Sequence, residues 1–119
     1  MYKRVVWALI FAASFTLWGC GGDESDETVK IGVLHSLSGT MAISETSLRD
    51  VVLMAVEEIN AAGGVKVGGK MYKLKIKYYD DESTPLRTAQ LGERLIKQDG
   101  IKFLLGPYSS ATTKAMQYL

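Results

Sequence analysis

The chain has 119 residues, 47% hydrophobic and 23% charged, with 14 Lys+Arg against 13 Asp+Glu, one His and one Cys. That length holds one ordinary domain or less, and the near-zero charge balance lacks the basic excess of a nucleic-acid binder. A single Cys excludes an internal disulfide and a cysteine-built zinc site, and with a single His it leaves most metal and nucleophile–base constellations out of reach.

The N-terminus is the most apolar part of the chain. Lys3 and Arg4 form a positive head, and residues 5–18 are apolar apart from Ser14 and Thr16. This run is shorter than the roughly 20 residues a membrane-crossing helix needs, so residues 1–19 read as a secretory signal peptide. Leu17-Trp18-Gly19-Cys20 resembles the end of a bacterial lipoprotein signal, in which cleavage precedes a Cys that carries lipid. Acyl chains on Cys20 would anchor the protein through burial of about 0.8 kcal/mol per CH₂; the plainer alternative is an ordinary signal or an uncleaved anchor with an incidental Cys. Either way the protein is expected outside the cytoplasm, in the periplasm or at the cell surface, held on a bacterial membrane if Cys20 is lipidated. Residues 20–27 follow as an acidic flexible linker containing Asp23, Glu24, Asp26 and Glu27. Without residues 1–19 the chain carries 12 basic and 13 acidic side chains. Charge steering is then a poor means of recruiting a ligand.

From residue 28 strand and helix alternate. Residues 28–34, β-branched and largely apolar, read as a buried strand, and 35–40 as a loop. Ser47-Leu48-Arg49-Asp50 matches a capping box ahead of apolar positions Leu48, Val51, Val52, Ala55, Ile59 and Ala62 at helical spacing. That helix stops at Gly63-Gly64. Because residues 51–56 are apolar without a break, cover beyond the sheet is expected on it. A second strand begins at Met71, where Tyr72, Leu74, Ile76 and Tyr78 alternate with lysines, a pattern suited to a half-exposed sheet edge. Thr84-Pro85 starts a second helix running to Asp99-Gly100. Residues 101–105 make a third strand, 106–110 a loop, and Ala111 opens a third helix expected to continue through Leu119. The order β-α-β-α-β-α predicts an α/β fold: a parallel sheet with helices on both faces. Since doubly wound sheets typically have five or six strands, residues 28–119 are expected to be the first part of a larger, truncated lobe.

Three features look chemical and fail on context. Gly64-Val65-Lys66-Val67-Gly68-Gly69-Lys70 has the spacing of a phosphate-binding loop but follows a helix, opens a strand and lacks the Ser or Thr for magnesium. It reads as a helix stop and a turn. Asp80, Asp81 and Glu82 lack the alternating acids and distal Glu of a calcium loop and read as strand-end acids in a solvated turn. His35, with no acid or Cys nearby in sequence, reads as a structural histidine and not a catalytic base.

In open α/β sheets ligands bind outside the carboxyl ends of the strands. The loops there contain Ser36, Ser38, Gly39 and Thr40 after the first strand and Gly106, Tyr108, Ser109 and Ser110 after the third. Hydroxyls and free N–H groups suit a carboxylate or amide oxygen; for Ser109 a simple helix-cap role is the alternative.

Four segments then carry a family resemblance: Ile31-Gly32-Val33-Leu34-His35-Ser36-Leu37-Ser38-Gly39, Glu58-Ile59-Asn60-Ala61-Ala62-Gly63-Gly64, Tyr79-Asp80-Asp81 with Pro85, and Gly100-Ile101-Lys102-Phe103-Leu104-Leu105-Gly106-Pro107-Tyr108-Ser109-Ser110. In this order they resemble the extracytoplasmic solute-binding proteins of branched-chain amino acid ABC transporters, and the first loop and helix are similar to the urea and short-chain amide branch. The resemblance implies the incomplete first lobe of a bilobed, periplasmic-binding-protein-like type I fold, a small amino acid or amide as ligand, and permease subunits as partners. It places the ligand carboxylate at Ser110, with Tyr108 and Ser109 beside it, and puts Ser38, Gly39 and Ser44 on the cleft wall. A ligand-sensing receptor of the same fold is one alternative. An exported Rossmann-type enzyme is another, but it would need a Gly-rich fingerprint where this chain has His35-Ser36-Leu37-Ser38-Gly39. No enzyme activity and no cofactor are expected.

Overall fold

A computed structural model describes residues 28–119. The expected signal peptide at 1–19, the linker at 20–27 and lipidation of Cys20 lie outside the described residues. The chain runs β1 (Thr28–His35), α1 (Ala42–Ala61), β2 (Val65–Val67), β3 (Lys70–Asp80), α2 (Pro85–Lys97), β4 (Phe103–Leu105) and α3 (Ser110–Ala115). The strands form one sheet in the order β2-β3-β1-β4.

Central β1 pairs in parallel with β3, from Thr28 opposite Lys73 to His35 opposite Asp80, and with β4, from Ile31 opposite Phe103 to Val33 opposite Leu105. Successive strand side chains point to opposite faces, and the two faces of β1 meet different helices. Leu34 is buried against Leu95 of α2 and Ile101, with Tyr79, Leu91, Leu104 and Met116 packed around them. Gly32 lies on this same face, where a Cβ would press on the Ile101 and Leu104 side chains. Val33 and His35 point the other way, and His35 reaches Glu45 of α1. The expected coverage of both sheet faces is thus observed.

Four local expectations change. The helix predicted from Ser47 begins more than a turn earlier, at Ala42, so the apparent capping box lies inside it. The glycine-rich segment after α1 is more than a turn: β2 pairs antiparallel with the start of β3, Val65 opposite Tyr72 and Val67 opposite Lys70, so the sheet is mixed where an all-parallel one was predicted. β2 covers only the first residues of β3. Beyond it, Asn60 at the end of α1 takes over the outer edge, its Nδ2 donating to the Leu74 carbonyl and its Oδ1 accepting the Leu74 N–H, both at 2.8 Å. A side-chain amide here imitates a neighbouring strand, satisfying backbone groups that the short β2 leaves open. Finally, α3 ends at Ala115, short of Leu119. Met116 instead folds onto α2 at Gly92, where a Cβ would sit 2.3 Å from its sulfur.

α2 starts as predicted, with Thr84 before Pro85. The outward side of α1 leaves Val51 57% and Met54 56% exposed, the apolar surface for which further cover is expected. Among the described residues no helix is long and apolar enough to cross a membrane.

Candidate functional site

Parallel pairing of β1, β3 and β4 brings three loops to one end of the sheet: 36–41, 81–84 and 106–109. The first two are stitched together by the acids that end β3. Asp80 Oδ1 accepts from the N–H groups of Leu37 (2.8 Å), Ser38 (3.2 Å) and Glu82 (2.9 Å), and its Oδ2 accepts from Ser38 Oγ at 2.7 Å. Partial burial on its own would raise the Asp80 pKa; the bonds from the Ser38 hydroxyl and the Glu82, Leu37 and Ser38 N–H groups outweigh it and hold the carboxyl below its ordinary value. Asp81 is fully buried and accepts from Ser36 Oγ (2.6 Å), Thr88 Oγ1 (2.8 Å) and the Ser83 N–H (3.0 Å).

These contacts correct the reading of Asp80 and Asp81 as acids in a solvated turn; Glu82 is exposed as expected, its carboxylate 3.3 Å from Arg87 Nε. The Asp80 and Asp81 carboxylates face hydroxyls and N–H groups, and among the described residues no group of three or more His, Cys, Asp or Glu could hold a metal. Glu82 and Ser83 both adopt positive φ, 55° and 59°. That left-handed backbone is sparsely populated by non-glycine residues. It turns Ser83 Oγ toward the β1 loop, where it donates to the Ser38 carbonyl (3.1 Å) and accepts the Met41 N–H (3.0 Å). Gly39 fits the same junction: at φ 78°, a Cβ would stand 2.6 Å from the Glu82 carbonyl oxygen.

On the other face, Glu45 is buried in the first turn of α1 and accepts the Ser36 N–H at 2.8 Å. His35 Nδ1 lies 3.2 Å from the same oxygen. His35 is buried and ties β1 to α1 through an acid ten positions on, which the sequence reading did not place beside it. The β4 loop abuts β1 at Gly106, where a Cβ would fall 2.1 Å from the Leu34 carbonyl oxygen and 3.3 Å from His35 Cε1.

The residues singled out in the sequence fall into two groups. Ser38 is exposed, but its hydroxyl proton is donated to Asp80; Gly39 forms the turn beside it, and Ser44 is exposed in the first turn of α1. On the β4 loop, Ser109 is the N-cap of α3: its Oγ accepts the Thr112 N–H at 3.2 Å and lies 2.7 Å from Thr112 Oγ1. Ser110 is the first residue of α3 and exposed, its hydroxyl making no hydrogen bond among the described residues, and Tyr108 is 56% exposed. Sequence reasoning missed Asp80, Asp81 and Glu45. Adjacent acids closing an alternating strand were a visible signal for the first two. Glu45 was hidden because the helix start was placed after it.

Parallel central strands, helices on both faces and shaped loops at the carboxyl ends define the class: part of a helix-covered α/β lobe. Residues 29–118 match the family model described as periplasmic binding protein domain, and the chain belongs to that family. It is a family of solute-binding proteins, not of enzymes. Among curated relatives, the chain is 30% identical over 105 residues to a leucine-, isoleucine-, valine-, threonine- and alanine-binding protein of Pseudomonas aeruginosa, covering 88% of this chain and 27% of that one. A Leu/Ile/Val-binding protein homolog 8 of Brucella abortus is 40% identical over 84 residues, covering 70% and 19%. The chain thus spans about a quarter of the length of the curated relatives it matches. Among solved structures, the substrate-binding protein LivJ of a branched-chain amino acid transporter from Streptococcus pneumoniae, in complex with isoleucine, superposes with TM-score 0.69 at 31% identity over 76% of this chain and 25% of that one. A solute-binding protein of an R. palustris ABC transporter, in complex with benzoate, gives TM-score 0.56 at 30% identity over 75% and 23%.

Proposed function

We propose that the chain belongs to the extracytoplasmic solute-binding component of an ABC importer and contributes the start of its first lobe, taking up a small carboxylate ligand of the branched-chain amino acid type. The observation that carries this reading is the division of labour at the carboxyl ends of the strands. Every polar side chain between the β1 and β3 loops that the structure bonds is committed to shaping those loops, whereas the hydroxyl of Ser110 is uncommitted and solvent-facing. In this reading Ser110 Oγ donates to the ligand carboxylate, Tyr108 and Ser109 flank it, and Ser38, Gly39 and Ser44 form the neighbouring wall. A carboxylate is also the group shared by isoleucine and benzoate, the ligands held by the two related structures. That shared group favours an amino acid over the urea and short-chain amide alternative. The second wall comes from another lobe, and closure follows because the closed form makes ligand contacts that the open form cannot.

The protein in this reading is exported, lipidated at Cys20 and held at a bacterial membrane beside its permease subunits, with no nucleic-acid partner. Two experiments test it. Calorimetry on the complete protein with L-isoleucine, L-leucine, benzoate, acetamide and urea should show binding of an amino acid; binding of acetamide or urea alone would reject the ligand class. Cys20→Ser expressed in a bacterial host should release the protein from membranes or block its processing, and unchanged partitioning and migration would reject the anchor.

A further inference from the structure

The end of the sheet opposite the candidate site has a chemistry of its own. Because Thr28 stands opposite Lys73, residues 70–72 of β3 and their partner β2 overhang the start of β1, where residues 1–27 join the described chain. Residues 65–77 hold Lys66, Lys70, Lys73, Lys75 and Lys77 and no acid. Lys30 adds a sixth charge directly opposite Lys75, an arrangement of like charges that is unfavourable unless something else draws on it. Lys30, Lys75 and Lys77 line a hollow of about 290 Å³ that contains one acid, Asp99, which already accepts from the Tyr79 hydroxyl.

All six lysines are exposed, and none pairs with a carboxylate among the described residues. Lys73 donates to the Asn60 carbonyl, and Lys77 lies over the Tyr79 ring at 5.1 Å. The register sets Lys66 and Met71 on the face of the hairpin that carries Lys73, and Val65, Val67 and Lys70 on the other; all are exposed, and a Cβ at Gly68 or Gly69, which join the strands, would meet nothing within 4 Å. The acids brought to this end by α1, Glu57 and Glu58, precede the hairpin in sequence and leave the basic excess in place.

We propose that this β2–β3 hairpin end is a docking surface for an anionic phospholipid membrane. Lysines attract anionic headgroups over a Debye length, about 8 Å at physiological ionic strength, and the exposed valines and methionine enter the headgroup region, where apolar side chains gain from leaving water. The pairing of charge with apolar surface is what selects this occupant. The acidic stretch 23–27 matches the lysines in charge but offers no apolar residue to Val65, Val67 and Met71. Docking at this end leaves loops 36–41, 81–84 and 106–109, at the far end of the strands, open to solute.

The test is sedimentation of the complete protein, made without residues 1–19 and with Cys20→Ser so that no acyl chain contributes, with vesicles of phosphatidylglycerol and phosphatidylcholine or of phosphatidylcholine alone. The expected result is binding to the anionic vesicles that falls with salt. It should drop about thirtyfold in Lys75→Gln/Lys77→Gln, which removes two charges, and further in Lys66→Glu/Lys70→Glu, which reverses two, with circular dichroism unchanged in both. Equal binding to both vesicle types, or no loss in either folded variant, overturns the proposal. Binding that appears only after Asp23, Glu24, Asp26 and Glu27 are neutralised also overturns it, since the acidic segment would then be the occupant of the lysines.

Discussion

Ser36 and Asp81, 45 positions apart in sequence, meet in a buried hydrogen bond of 2.6 Å from Ser36 Oγ to Asp81 Oδ1. It joins the end of β1 to the start of the β3–α2 connection. The same carboxylate holds Thr88 in the first turn of α2, so one side chain organises two loops and a helix. The first prediction follows from its burial. Asp81→Ala leaves the buried Ser36 hydroxyl without its acceptor, while Thr88 keeps the Thr84 carbonyl, and should cost about 1–3 kcal/mol, the range for an unsatisfied buried polar group. Asp81→Asn keeps an acceptor and should cost less. Denaturant unfolding of the complete protein reads both, and equal stabilities for wild type and Asp81→Ala would remove Asp81 from this role.

Asp80 sets the acid sensitivity of the β1 loop. Its folded-state pKa is lowered, so its contribution is fully present above the unfolded value of 3.8 and is lost as pH falls through the lower folded value. Protonation removes the charge that strengthens the bonds from the Leu37 and Ser38 N–H groups and competes with the Ser38 hydroxyl for Oδ2. The urea midpoint of the wild type should therefore fall more steeply than that of Asp80→Asn as pH drops below the ordinary Asp value. Parallel pH profiles for the two proteins would show that the four bonds carry no stability.

Ser109 and Ser110 are neighbours with different expected roles. Ser109→Ala removes the N-cap of α3 and should lower stability by about 1 kcal/mol. Ser110→Ala touches no internal bond, so its melting temperature should match the wild type while L-isoleucine affinity weakens by about 1–3 kcal/mol, the loss expected when a charged or buried acceptor loses its donor. Calorimetry and thermal melts of both variants separate the roles; an unchanged dissociation constant for a folded Ser110→Ala protein would reject the ligand contact.

Residues 28–119 taken alone should neither unfold cooperatively nor bind solute tightly. Val51 and Met54 on α1, and Phe103 and Leu105 on β4, expose apolar surface that a folded domain ordinarily covers. One wall of a cleft also cannot enclose a ligand, whose surface is typically about 70–90% buried in a binding pocket. Urea unfolding of this segment is the check: a single transition with a stability near 5 kcal/mol, about the lower bound for ordinary domains, would show that this surface needs no further cover.

What could be read along the chain was whatever depends on neighbours in sequence. Alternation of Tyr72, Leu74 and Ile76 with lysines marks a strand, Thr84-Pro85 marks the start of α2, and Gly63-Gly64 the end of α1, because backbone propensity and side-chain periodicity act over a few residues. The candidate loops followed from strand order, and Ser109 and Ser110 from their place after the last strand. What the tertiary structure alone decided was pairing across distance. Whether Asp81 meets water or Ser36 depends on β1 and β3 lying side by side, and a carboxylate reads as a surface residue until its donors are in place. α1 begins at Ala42, which sets Glu45 under the His35–Ser36 backbone, a contact across the packed sheet that no capping pattern near Ser47 could reveal. The short β2 became visible only when it found β3, since three residues with glycines on either side have no periodicity of their own and are held by the ladder they join.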